Sequence, residues 1–194
     1  EQFIGMLNKI SASVERINTI IKHMRSFWSS SDGEEREIFN VNAVVISALS
    51  IMMRQLSSHG IKVVTELSDS PLLINGVPIH LEQVVINLVN NSMKALDAVS
   101  RKDKIITIHT SIEEGDARLE IKDNGKGFAE GVPKQLFDPF FTTRKPGEGM
   151  GLGLTIVKQF VEEHKGVITC KNNPSGGAIF TLTFPISQTN RVND

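Results

Sequence analysis

Between Asp123 and Met150 the chain loses every hydrophobic period, and this stretch constrains the fold more than any other. It holds three prolines, several glycines and the cluster Phe137, Phe140 and Phe141. A patternless segment of about 28 residues is too long for an idle connection in a compact domain, so it reads as a binding loop held between regular elements. Those elements are legible on both sides. Ile105–Ile112 and Ala117–Lys122 alternate as two strands around the tight connection Glu113-Glu114-Gly115-Asp116, a hairpin signal. Leu152–Glu163 has helical spacing and closes at His164-Lys165-Gly166. Val167–Lys171 and Ala178–Phe184 then read as strands bracketing Asn172–Gly177.

Upstream, Glu37–Val41 reads as a short strand, and Asn42 as the cap of a helix through Ala43–Ser58 that stops near Gly60. Ile61–Leu67 alternates as a strand, Ser68-Asp69-Ser70-Pro71 turns the chain, and Leu72–Asn75 is a further short strand. Pro78 suits the first turn of a helix whose apolar face carries Leu81, Val84, Val85, Leu88, Val89 and Leu96. Such a series predicts an α/β fold: a two-layer sandwich in which helices cover one face of a mixed β-sheet. One long amphipathic helix precedes it. Phe3, Leu7, Ile10, Val14, Ile17, Ile21, Met24 and Trp28 alternate spacings of four and three, a seam buried only against other helices, as in a four-helix bundle. A single amphipathic helix lying on its own domain is the plainer alternative. The run from Ser29 to Glu35 holds no apolar residue, so the expected organisation is a helix over 1–30, a linker over 31–36, the main domain over 37–187 and a tail over 188–194.

Composition removes whole classes of function. Lys plus Arg number 21 against 22 Asp plus Glu, a net charge of -1, so no long-range field draws nucleic acid and none is expected as a partner. Cys170 is the only cysteine, which excludes an intrachain disulfide and a cysteine metal cluster and suits a reducing compartment. No continuous tract of about 18 apolar residues is present, so this piece is expected to make no membrane contact. With Glu1 first and no basic-then-apolar leader, the chain reads as part of a longer protein.

Three local patterns carry chemistry. In Gly149-Met150-Gly151-Leu152-Gly153-Leu154, alternate glycines let backbone N–H groups approach an anion, and the helix that follows adds its positive dipole end. No Gly-Lys-Ser/Thr follows, so this is not a P-loop, and a long loop rather than a strand precedes it, unlike a dinucleotide fingerprint. A flexible loop or a close helix crossing would use the same glycines. In Asp123-Asn124-Gly125-Lys126-Gly127, a carboxylate at a strand end beside residues without side-chain bulk can accept the amino group of a planar base. A plain Asp-Asn-Gly turn is the alternative. On the helix from Pro78, Asn87, Asn91 and Lys94 share one side, where carboxamide oxygens suit magnesium and an ammonium suits a phosphate oxygen. Ordinary network residues would fit the same spacing.

Together these patterns resemble the histidine kinase ATPase domain, within the superfamily of gyrase, the Hsp90 chaperones and the MutL proteins. Glu82–Ser92 looks like its N box, Asp123–Gly127 like its first glycine box, Phe137-Asp138-Pro139-Phe140-Phe141 like its F box and Gly149–Leu154 like its second glycine box. Gly176-Gly177 resembles the closing glycine pair. The resemblance spans about Ile38 to Pro185, and the F-box run looks most like the nitrogen-regulator and dicarboxylate-sensor branch.

That resemblance implies ATP and magnesium (Mg2+) as ligands. Asn91 would bind the metal with help from Asn87, Asp123 would hold the adenine amino group, and Gly125 and Gly127 would shape its pocket. Gly149, Gly151 and Gly153 would wrap the triphosphate, with Leu152, Leu154 and Thr181 also at the nucleotide. Residues 137–150 would form a lid anchored by burial of Phe140 and Phe141, with Thr142, Thr143 and Lys145 near the phosphates. Asn87, Lys94 and Lys145 would assist transfer. Two departures stand out: Lys94 replaces a common acidic residue, and Ser92 replaces the usual alanine, its small hydroxyl being tolerated.

The implied activity is transfer of the ATP gamma-phosphoryl group to a histidine outside this piece, by a cytoplasmic domain of a membrane-bound, homodimeric sensor kinase. The partners would be the helix bearing the acceptor histidine and a response-regulator receiver domain. Residues 14–29 look like the second helix of the dimerisation hairpin, but no His-Glu or His-Asp pair is present, and His23, His59, His80, His109 and His164 are not expected to accept phosphate. Two rivals stay open, a nucleotide-gated interaction module without catalysis and a MutL-like or gyrase-like ATPase. Asn87 stands where the superfamily's hydrolases keep a glutamate base, which disfavours the last.

Overall fold

The structure is a computed structural model that describes residues 35–129, 135–142 and 151–187, all of which fall in one compact unit. The seam of residues 1–30, most of the linker, the tail and the lid positions Thr143, Lys145 and Gly149 lie outside the described residues.

Strand β1 (Glu37–Asn40) leads into helix α1 (Val41–Ser58), followed by β2 (Ile61–Glu66), β3 (Leu73–Gly76) and α2 (Pro78–Asp97). The hairpin β4 (Lys104–Glu113) and β5 (Asp116–Asp123) comes next, then α3 (Gly153–Glu163), β6 (Val167–Asn172) and β7 (Ala178–Pro185). The main sheet has the order β2-β4-β5-β7-β6, with β2 parallel to β4 and every other pair antiparallel. β1 and β3 form a separate antiparallel ribbon. This is the mixed sheet covered by helices that the pattern predicts.

Alternation along the strands sorts the faces. Ile106 and Ile108 of β4, Leu119 and Ile121 of β5, and Phe180, Leu182 and Phe184 of β7 are buried beneath Val45, Met52 and Leu56 of α1, Val85, Leu88 and Leu96 of α2, and Val157 and Phe160 of α3. Each such side chain contributes roughly 1.5–3 kcal/mol on leaving water. Helix α1 has a mean hydropathy of 1.2 over 18 residues, long and apolar enough by composition to cross a bilayer, which the sequence reading did not expect. Its buried residues Val41, Val44, Val45, Ala48, Leu49, Met52 and Leu56 make it a core helix of this domain.

The start of α1 is a correction. Asn40, not Asn42, is the cap: as the last residue of β1 it has extended backbone, and its Oδ1 accepts from Asn42 N at 3.1 Å. Asn42 lies inside the helix and ties it to the sheet, donating to Ser68 O at 2.9 Å and accepting from Thr110 Oγ1 at 2.8 Å. Elsewhere boundaries move by a residue. Pro78 opens α2 as expected.

One buried histidine joins the ends of two helices. His164 Nδ1 donates to Phe160 O at 2.6 Å, while Nε2 accepts from Val77 N at 3.0 Å, which sets the neutral tautomer. Burial, with the nearby charge of Arg36, holds its pKa below the usual imidazole value. A Cβ on Gly76 would lie 2.0 Å from this ring, so the ribbon reaches α3 only through a glycine.

Candidate functional site: a buried carboxylate in a glycine cradle

On β5 the alternation that buries Ala117, Leu119 and Ile121 places Asp123 on the same helix-covered side, where it is 3% exposed. Its Oδ1 accepts from Gly125 N at 2.9 Å and Ala178 N at 3.2 Å, and its Oδ2 accepts from Ser92 Oγ at 3.1 Å. Burial pushes this carboxyl above the usual carboxylate range, against the lowering effect of those three donors.

The surrounding backbone is close enough to exclude side chains. At Gly177, with φ +91°, an added Cβ would sit 2.0 Å from Asp123 O. At Gly127 it would meet Asn172 Oδ1 at 2.7 Å, and at Gly125 the Ala95 backbone at 3.0 Å. Asn172 closes one wall, accepting from Phe128 N at 2.7 Å and donating to Phe128 O at 3.0 Å. Arg101 braces the chain just after Asp123: it holds Asp103 through two hydrogen bonds of 3.1 and 2.8 Å and donates to Asn124 O. Asn124 in turn accepts from Ile105 N at 2.9 Å and donates to Asp103 O at 2.7 Å, extending the β4–β5 pairing past its last residue.

Helix α2 brings its polar side to this cradle, because Ser92 touches Asp123 and Asn91 is the next residue back. Asn87 and Asn91 are half-buried and Lys94 is exposed. Gln83 Nε2 donates to Asn87 Oδ1 at 3.4 Å, and Asn87 Nδ2 is buried without a hydrogen-bond partner. An orphaned buried amide is costly unless a further polar group meets it. An oxygen-rich ligand beside two carboxamides supplies such a group, so the residues present fit a phosphate chain and a hard cation.

Helix α3 packs against α2, and its N-terminus carries the second glycine run. Gly151 has φ +70°, and a Cβ there would meet Phe140 C and Phe141 O at 2.5 Å, so the F-box segment crosses directly over it. Gly153 opens α3 with open space where its Cβ would point, and Leu152 gives no side-chain cap to the first-turn N–H groups. Leu154 packs partly against the core. Thr155 Oγ1 donates to Phe137 O at 3.3 Å, fastening the F-box segment to α3.

Not every expected residue converges. Phe140 is 73% exposed with φ 65°, which corrects the expectation that burial of Phe140 anchors the lid; Leu136 and Phe137 pack against the core instead. Phe141 is half-exposed and Thr142 exposed. Thr181 points to the opposite sheet face, its Oγ1 donating to Glu120 Oε1 at 3.2 Å, and the structure does not bring it to Asp123. The β7 group that does reach Asp123 is the backbone N–H of Ala178, immediately after the Gly176-Gly177 pair that marks the spot in the sequence. Asn172 and Arg101 carry no local signal and were legible only in three dimensions.

The model of the family described as histidine kinase-, DNA gyrase B- and HSP90-like ATPase matches residues 76–188, more than half of the chain. This chain belongs to that family. It is an ATP-binding catalytic domain related to those of sensor histidine kinases. It is 32% identical over 179 residues to a putative sensor protein of Shewanella frigidimarina, covering 92% of this chain and 27% of the relative. It is 28% identical to the C4-dicarboxylate transport sensor protein DctS of Rhodobacter capsulatus, covering 93% of this chain and 27% of that protein. The chain thus spans about a quarter of the length of these curated relatives. The catalytic domain of the histidine kinase ThkA superposes with a TM-score of 0.69 at 25% identity, covering 79% of this chain and 99% of that one. The histidine kinase AdeS of Acinetobacter baumannii shares the fold at a TM-score of 0.72 and 22% identity, over 94% of this chain and 84% of its own. The family match runs from α2 through β7, and so includes Asp123, Ser92 and the glycines around them.

Proposed function

We propose that this family member is the catalytic domain of a two-component sensor histidine kinase, moving the ATP gamma-phosphoryl group to a histidine elsewhere in the parent protein. The observation that carries the reading is the buried Asp123 carboxylate, oriented by three donors inside a cradle of glycines, beside the carboxamides of α2. Asp123 accepts the adenine amino group, and Gly125 and Gly127 leave room for the flat ring. Asn91, with Asn87, would hold the magnesium ion, and Lys94 adds a cation at the same helix side. When bound, magnesium neutralises charge on the phosphate oxygens. The first turn of α3 after Gly151 and Gly153 offers N–H groups to the phosphates, and by the same family resemblance Gly149, Thr142, Thr143 and Lys145 would contact them. No Glu stands at position 87 to activate water, so transfer to an acceptor is favoured over hydrolysis.

The remaining assignments rest on the same reading. The parent protein is a membrane-bound homodimer with this domain in the cytoplasm, and its phosphohistidine passes the group to a receiver domain. The structure of ThkA with the response regulator protein TrrA supports that class of partner. The Phe137–Thr143 run and the likeness to DctS support the dicarboxylate-sensor branch.

The deciding experiment mixes this chain, labelled ATP and magnesium with a helical hairpin carrying the parent's acceptor histidine. Acid-labile label on the hairpin is expected, and Asp123→Asn should abolish it. Tight nucleotide binding with no labelled hairpin would replace the kinase by a nucleotide-gated module, and sustained phosphate release without acceptor would replace it by an ATPase.

A further inference from the structure

Ser92 lies on α2 at 1% exposure, and its hydroxyl reaches a buried carboxylate. A helical serine ordinarily returns its O–H to a carbonyl one turn back. Ser50 does so to Ser47 O and Ser58 to Gln55 O, both at 2.7 Å. Ser92 instead donates across to Asp123 Oδ2 at 3.1 Å, from one residue beyond Asn91. An ionised carboxylate has about four lone-pair sites. Gly125 N and Ala178 N fill both on Oδ1, and Ser92 fills one on Oδ2, so a single acceptor site remains.

We propose that Ser92 is a specificity-determining positioning residue: by occupying one acceptor site of Asp123 Oδ2, it turns the carboxylate and leaves one site for a purine bearing a 6-amino N–H. This deepens the adenine-nucleotide reading and rests on it. Without the hydroxyl, Oδ2 has two open sites and no partner of its own, so a water competes with the ring. The neighbouring backbone cannot compensate, because Gly125 already packs at the Ala95 backbone and Gly177 at Asp123 O.

The test measures magnesium-dependent affinity of the full chain for ATP and for purine ribonucleoside triphosphate, which lacks the 6-amino group. The proteins are wild type, Ser92→Ala, the nearly isosteric Ser92→Cys with its weak S–H donor, and Asp123→Asn. Ser92→Ala should lose about five- to tenfold for ATP and less than about twofold for the analogue, shrinking the discrimination between them. Ser92→Cys should fall between alanine and wild type. An equal loss for both ligands, the mark of a general packing defect, would overturn the proposal, as would unchanged ATP affinity in both Ser92 variants while Asp123→Asn binds weakly. If Asp123→Asn also keeps full ATP affinity, the adenine-nucleotide reading falls and this proposal with it.

Discussion

Asp123 and Glu120 lie three residues apart on β5, face opposite sides of the sheet, and have opposite electrostatic fates. Burial would raise the Glu120 carboxyl, but hydrogen bonds and charge from Lys122 and Arg118 outweigh it and hold the pKa at about 2. Its stabilisation is complete above the ordinary glutamate value and is lost as pH falls toward about 2. With partners partly in solvent, we expect Glu120→Gln to cost about 2 kcal/mol at pH 7. The gap in urea midpoint between variant and wild type should narrow steadily from pH 5 to pH 3; a pH-independent gap would show that the ion pairs contribute nothing. Asp123 behaves in the reverse sense. Its folded pKa is raised, so the native state holds a proton longer than the unfolded chain and loses stability as pH climbs from the ordinary aspartate value through the raised one. At Gly177, alanine would force a Cβ into Asp123 O at a backbone angle that favours glycine. Gly177→Ala should cost at least about 2 kcal/mol in denaturant unfolding and weaken ATP binding with it; a variant matching wild type in both would mean that the strand ends do not approach this closely.

Among the elements, the join between α2 and α3 is the part most exposed to acid. His164 stitches the N-terminus of α2 to the C-terminus of α3 only as a neutral ring, because Nε2 must accept from Val77 N. With its folded pKa below 6.5, the unfolded chain takes up the proton first, so the stabilisation is complete above pH 6.5 and drains away as pH falls through the folded value. His164→Ala should lower stability by about 2–3 kcal/mol at pH 7 and flatten the pH dependence below about pH 6.5. Amide exchange at Val77 would report the same break locally, and protection unchanged in the variant would refute the link. Since α2 carries Asn87, Asn91 and Ser92 while α3 opens at Gly153, this staple also fixes the two helices of the proposed nucleotide site relative to each other.

For the molecule as a whole, a ligand that grips β5, α2 and α3 together should stabilise all three at once. At a hundredfold excess over Kd, magnesium-ATP should add about 2.7 kcal/mol, a rise of several degrees in Tm, and Asp123→Asn should abolish the shift. An unchanged melting curve at millimolar nucleotide would contradict the site. What the chain declares by itself is whatever depends on neighbours in sequence. Hydrophobic period marks α2 and the β4–β5 hairpin, Pro78 marks a helix start, and glycine spacing marks the places where backbone must come close. The N box, the glycine boxes and the F box are local strings, which is why the family could be read before any fold was seen. Only the tertiary structure decides which atoms meet across those strings. It shows that Asn40 rather than Asn42 caps α1, that Phe140 faces solvent, and that Thr181 turns to Glu120 while the Ala178 N–H reaches Asp123. It also shows Ser92 touching the carboxylate, Asn172 lying against Gly127 and Arg101 holding Asn124. The reason is physical: propensity and period act over a few residues of chain, whereas a hydrogen bond to Asp123 spans 31 residues to Ser92 and 55 to Ala178 and exists only once the sheet and its helices have packed.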